Sequence, residues 1–248
     1  AIAKLFPTAV THILSSIVSS FVPNITKFYA LGNQPILVKE IKFSMKITGM
    51  ILNIPICLTI AFGEILLQIL YPSIDINCVY KLAIISILPW AIIGPAAIIH
   101  NIFTIVNKIK TNSLLVCFTG LLNVLIVFVL LKFTDLGLYA IVLTSSCLSI
   151  IRNILYTIPF GAIYLQEKFT TFYPEILKAI LSVIIISFIG KSFIIYFNTV
   201  CWTNLILLTI SLIIIGLFVN YFIVFNNYER NKIIMFIKTR ITYIRSLT

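Results

Sequence analysis

Acidic side chains are scarce in this sequence: 7 Asp and Glu stand among 248 residues, against 18 Lys and Arg, and charged residues of both signs reach only 10%. So few carboxylates leave little room for the paired Asp and Glu of general acid–base catalysis, and the 2 histidines form no HExxH or Ser/His/Asp arrangement. Glycine is sparse as well, at 9 residues, and no Walker or other Gly-rich nucleotide turn occurs. No enzyme activity and no cofactor are expected. The cysteines, Cys57, Cys78, Cys117, Cys147 and Cys201, include no CxxC pair, so no metal site is expected, and Cys78 with Cys201 is the one disulfide pairing the topology allows. Linker-like and low-complexity stretches are missing, which points to a single domain.

What fills the chain instead is apolar. Hydrophobic residues make up 60% and the mean hydropathy is +1.13, far beyond what a water-soluble core can hide. A spanning helix needs about 20 mostly apolar residues to cross roughly 30 Å of hydrocarbon. Runs of that length cover residues 5–22, 47–70, 82–106, 114–131, 138–158, 176–197 and 205–225. They do not alternate in polarity as barrel strands do. The sequence therefore predicts an all-α integral membrane protein with about seven transmembrane helices over residues 1–225, followed by a basic tail, 226–248. In that tail Ile233, Ile234, Phe236, Ile237 and Ile241 interleave with Lys238, Arg240 and Arg245, the pattern of an amphipathic helix lying on the inner membrane surface.

A net charge of +11 invites a nucleic-acid reading, but the basic residues sort by loop. Of the 18 Lys and Arg, 14 fall in alternate breaks, at 23–46, 108–112, 152–178 and after 226, and the others are Lys4, Lys81, Lys132 and Lys191. The positive-inside rule then places the richer set and the C-terminal tail in the cytoplasm, with no nucleic-acid partner. The first span runs from outside to inside, yet it starts at Ala1 with no signal peptide ahead of it, which implies a missing upstream segment.

Polar residues inside a membrane are costly and are the first place to look for function. Ser145, Ser149, Arg152 and Tyr156 recur at i, i+4, i+7 and i+11, one face of a helix, and Thr8, His12, Ser15 and Ser19 repeat that spacing in the first span. The two stripes point to a shared polar cavity with Arg152, His12, Ser145, Ser149 and Tyr156 as substrate-binding candidates. Small hydroxyl residues also let membrane helices pack closely, and an arginine near the inner end of a span can snorkel to the surface, so both alternatives stand. A guanidinium that faces the cavity suits bidentate binding of phosphate. Glu64, the acidic residue clearly inside a span, is the candidate for ion coupling or is an outer-interface residue. Pro89, Gly94 and Pro95 predict a kinked or broken third span, whose inner end carries His100 and Asn101, with His100 read as an interface residue.

Several stretches carry a family resemblance. The run from Ser19 through Pro23, Asn24 and Lys27 to Gly32 and Asn33, followed by basic residues and then Ile54-Pro55, resembles the loop between two helices in each lobe of oligosaccharide flippases. Asn107-Lys108-Ile109-Lys110 resembles their short basic cytoplasmic turn, and Asn226-Asn227-Tyr228-Glu229-Arg230 their cytoplasmic end after the last helix. Asp135-Leu136-Gly137-Leu138-Tyr139-Ala140 resembles their G-x-x-G-A helix start, with Tyr139 or Ala140 where the second glycine would stand. These flippases, including those of O-antigen and lipopolysaccharide assembly, share a superfamily with multidrug and toxin extrusion transporters. The resemblance implies a fourteen-helix fold of which this chain is the eighth to fourteenth helices. It further implies movement of an undecaprenyl-pyrophosphate-linked oligosaccharide across the cytoplasmic membrane by rocking of two lobes. The implied partners are the lipid-linked oligosaccharide, membrane lipids and polysaccharide assembly proteins. The alternatives are a multidrug or cation antiporter of the same superfamily, which needs intramembrane carboxylates, and a membrane enzyme of polysaccharide assembly, which needs larger outer loops.

Overall fold

A computed structural model of the protein describes residues 2–196, 201–227 and 229–230. Among the described residues, nine α-helices follow a short 3-10 turn at Ile2–Lys4: α1 (Leu5–Ala30), α2 (Gln34–Leu70), α3 (Ile76–Ile87), α4 (Trp90–Ile105), α5 (Ile109–Phe133), α6 (Leu138–Arg152), α7 (Ile158–Tyr164), α8 (Tyr173–Tyr196) and α9 (Trp202–Val224). α3 with α4, and α6 with α7, each make one broken span, so the described residues contain 7 helices long and apolar enough to cross a membrane. The third span breaks at Leu88-Pro89, where proline withholds the N–H a continuous helix needs. The stretch from Lys232 to Ser246, read as the amphipathic helix of the 226–248 tail, lies outside the described residues. The cysteines, Cys78 and Cys201 included, are free thiols.

Two expected loops are largely helical. Residues 23–46 read as one long break, but α1 runs through Pro23 to Ala30 and α2 starts at Gln34. Gly32 (φ +67) makes the turn between them, and the Asn33 side chain caps α2 by accepting from the Ile36 N–H at 3.3 Å. With 37 residues, α2 is about 55 Å long and outreaches the roughly 30 Å of hydrocarbon. Its protruding first turns stay helical because Leu37, Ile41 and Met45, four residues apart, pack against Ile25, Leu165, Phe172 and Ile176. The break expected over 159–175 is likewise shorter, since α7 carries the helix on to Tyr164.

α2 is the hub. α1, α4, α8 and α9 all pack along it, and small residues set how closely. A Cβ on Gly190 of α8 would lie 2.7 Å from the Ala61 Cβ and 3.2 Å from both Leu212 methyls, so three helices meet there only because the side chain is hydrogen. Gly190→Ala is therefore expected to cost about 1–3 kcal/mol through overpacking. Gly120→Ala on α5, where nothing lies within 4 Å, should be neutral or slightly stabilising. Thermal unfolding of the two variants in one detergent checks this: a lower midpoint for the first alone is the expected result.

Some polar groups inside the bundle are paired across helices. Asn53 of α2 and Ser182 of α8 both donate to Asn220 Oδ1 of α9, at 3.3 and 2.6 Å, and all three residues are fully buried. At the basic end Lys46 Nζ contacts Glu229 at 2.7 Å and Glu175 at 3.7 Å, while Lys178 lies 3.5 Å from Glu175. Arg230 closes that end by donating to the Tyr221 and Phe222 carbonyls of α9, at 3.2 and 2.5 Å.

α5 differs from the rest. None of its residues is buried, and Leu114, Phe118, Leu121, Leu125 and Phe128 are all more than 60% exposed, as suits a helix with lipid on several sides. It packs mainly on α6 and leaves a gap toward α1.

Candidate binding cavity

That gap is the site. α6 begins after Gly137 (φ +51) and turns Ser145, Ser146 and Ser149 toward α1, α3 and α5. Ser146 donates to the Ile85 carbonyl of α3 at 2.9 Å, which pins α6 to the third span. Ser145 donates to the carbonyls of Ile141 and Val142 in its own helix, at 2.9 and 3.0 Å. Between these helices lies a cavity of about 650 Å³, with Lys4, Thr8 and Thr11 on one wall and Ser145, Ser149 and Asn123 on the other. This is within the range of small-molecule sites. A second cavity of about 200 Å³ lies between α5 and α6, lined by Thr119, Asn123, Ser145, Ser149 and Arg152. Asn123, Ser145 and Ser149 line both, so the two form one groove along α6.

Arg152 ends α6 at the groove's narrow end. At about 1.5 Å per residue from Leu138 it lies roughly 21 Å down the span. It is half-buried, and its Nε is buried without a hydrogen-bond partner. No carboxylate pairs with it among the described residues. His100 of α4 lies within electrostatic range of Arg152, and the next residue along the chain, Asn153, is fully buried.

Three of the expected binding residues, Ser145, Ser149 and Arg152, come together; Tyr156 and His12 do not join them. The backbone passes from α to π geometry over Asn153–Thr157. A π turn holds an extra residue, so every side chain beyond Arg152 is rotated away from an α-helical stripe. Tyr156 therefore enters the core, 7% exposed, stacked on Phe103 at 5.6 Å between ring centres. The Asn153 side chain, at the start of the π stretch, donates to the Ser149 carbonyl one turn earlier in α6, at 2.8 Å. His12 is exposed on α1 and lines neither cavity, because the groove takes the Thr8 and Thr11 side of that helix. Ser15 and Ser19 are also exposed and donate back to the carbonyls of His12 and Ser16, both at 2.9 Å. Glu64 is exposed on α2 beside Tyr80, away from the groove.

The residues missed by reading the sequence are Asn123, Thr119, Thr11, Ser146 and Lys4. Asn123 carries a usable signal: it is an amide in the apolar run of residues 121–131 of α5, and its Oδ1 is buried without a partner.

A seven-span helical bundle with a polar groove defines a multi-pass membrane protein. Over 160 residues the chain is 23% identical to the uncharacterized membrane protein EpsK of Bacillus subtilis (strain 168), a match covering 61% of this chain and 30% of that protein. The chain thus spans about a third of the length of the curated relative it matches. No family model matches, and no solved structure matches.

Proposed function

We propose that this chain forms part of a transporter, not an enzyme, that moves an undecaprenyl-pyrophosphate-linked oligosaccharide across the cytoplasmic membrane for cell-surface polysaccharide assembly. The observation that carries the reading is the groove whose line of hydroxyl side chains ends at Arg152, which has a partnerless Nε and no carboxylate partner among the described residues. A half-buried cation without a counter-ion among the described residues carries part of the cost of burying a charge, and a phosphate would offset that cost with charge-assisted hydrogen bonds. The serines, threonines and Asn123 offer donors and acceptors to sugar hydroxyls. Among the described residues the groove has no Asp or Glu in its lining, which favours an anionic cargo over the cationic cargo of an antiporter. The basic end of the bundle is assigned to the cytoplasm by the distribution of Lys and Arg.

Cells that lack the gene should accumulate the lipid-linked oligosaccharide on the inner leaflet, and the full-length gene should clear it. Unchanged surface polysaccharide with no accumulated precursor would overturn the proposal.

A further inference from the structure

At the basic end the helices do not stop together. Lys46 of α2 marks one level, because its ammonium meets Glu175 at the start of α8 and Glu229 beyond the end of α9. From Lys46 back to Gln34, α2 continues for about 18 Å. Gln34 there donates to the Leu165 carbonyl, just past α7, so the end of α7 stands at the same height. Lys39 and Lys42 lie on this stretch and would be costly in hydrocarbon, which puts the tip beyond the bilayer core. The tip nevertheless carries apolar surface. Leu31 is 66% exposed, Ile36 43% and Tyr29 39%, all around the Gly32 turn, and Phe169 of the loop after α7 is 60% exposed. Such side chains need no explanation singly, but a cluster on a projecting knob marks an interaction site. Between the Gly32 turn and the end of α7 lies a notch of about 140 Å³, walled by the rings of Phe28, Tyr29 and Tyr164, by Leu37 and Leu165, and by Gln166. Small-molecule sites start near about 300 Å³. The notch suits a single side chain.

The exposed charges around the notch have one sign. Lys27, Lys39 and Lys168 are exposed, whereas the nearby carboxylates Glu40 and Glu167 are half-buried, and none of these five residues forms an ion pair among the described residues. We propose that this tip is the docking site of a separate cytoplasmic protein, engaged through an acidic segment whose one large apolar side chain seats in the notch beside Tyr29. A buried apolar anchor ringed by complementary charge is the arrangement in which a small interface holds a partner. Two other occupants fit less well. Further spans of the same chain would bring cytoplasmic ends with the same positive bias, which these lysines repel. The bilayer lies at the opposite end of the projection. The docking site does not depend on what the α6 groove carries.

The test uses the full-length protein in lipid nanodiscs and a short fluorescein-labelled peptide, one Phe flanked by Asp and Glu, read by fluorescence anisotropy. Binding should saturate, and it should weaken about tenfold or more when the peptide's Phe is replaced by Ala or when the protein carries Tyr29→Ala. Lys27→Glu combined with Lys39→Glu should weaken it about tenfold and remove most of its dependence on salt. Leu31→Ser, on the open surface, should weaken it about threefold and supplies the same reading should Tyr29→Ala lower the thermal unfolding midpoint. Equal binding of the Phe and Ala peptides, binding indifferent to these variants, or no saturable binding would overturn the docking site. A second measurement separates the occupants. A nitroxide on Ile36→Cys, with the native cysteines replaced, should be reached more readily by an aqueous nickel chelate than by oxygen, and should lose that access when the peptide binds. Greater access to oxygen would mean that the bilayer covers the tip, and access to neither reagent that another part of the chain does; each result would overturn the proposal.

Discussion

Replacing Arg152 by Ala in the full-length protein is expected to slow movement of lipid-linked oligosaccharide by about ten- to a hundredfold, and replacing it by Lys by less. The Nε of Arg152 is buried without a hydrogen-bond partner. A hydrogen bond to a charged group contributes about 1.5–3 kcal/mol, and each 1.36 kcal/mol is about a factor of ten in rate. Lys keeps the charge but loses the planar fork that matches phosphate, so it recovers only part of the effect. At equal protein levels, inner-leaflet accumulation should rank Arg152→Ala above Arg152→Lys above wild type. Normal transport by Arg152→Ala would mean that the guanidinium snorkels to the headgroups and contributes nothing to the cargo.

The largest expected effect on stability belongs to Lys46. Its side chain is 3% exposed and its ammonium holds Glu229 at 2.7 Å and Glu175 at 3.7 Å, which ties α2 to α8 and to the segment after α9. Lys46→Met leaves Glu229 without a cation among the described residues and Glu175 with Lys178 alone. The expected loss is about 3–5 kcal/mol, the range for breaking one side of a buried ion pair. Combining Lys46→Met with Glu175→Gln and Glu229→Gln should recover much of it, because no uncompensated charge remains. Thermal unfolding in detergent measures both. A triple variant as unstable as Lys46→Met alone would show that the lysine acts through packing of its alkyl stem.

The spans were legible in the sequence because the bilayer fixes a length, and seven apolar runs meet it. Pro89 marked the broken span for an equally local reason. The long α1 and α2 were not legible. Lys39, Glu40, Lys42 and Lys46 made residues 34–46 look like an aqueous loop, whereas Leu37, Ile41 and Met45 on the opposite face carry the helix beyond the hydrocarbon. Within the site, Ser145, Ser149 and Arg152 followed from helical periodicity, and periodicity then misplaced Tyr156, because nothing in Asn153–Thr157 announces a π turn. His12 was assigned to the cavity by the same period, one position away from Thr11, which does line it. Asn123 was overlooked because it belongs to no stripe; its meaning comes from where α5 leans on α6.

The most direct measurement is leaflet exchange in vesicles containing only the full-length protein. A fluorescent polyprenyl-pyrophosphate-linked sugar placed in one leaflet should reach the other faster than in protein-free vesicles, and Arg152→Ala should abolish most of that gain. Exchange no faster than in protein-free vesicles, or equally fast with Arg152→Ala, would contradict a groove that carries the lipid-linked oligosaccharide.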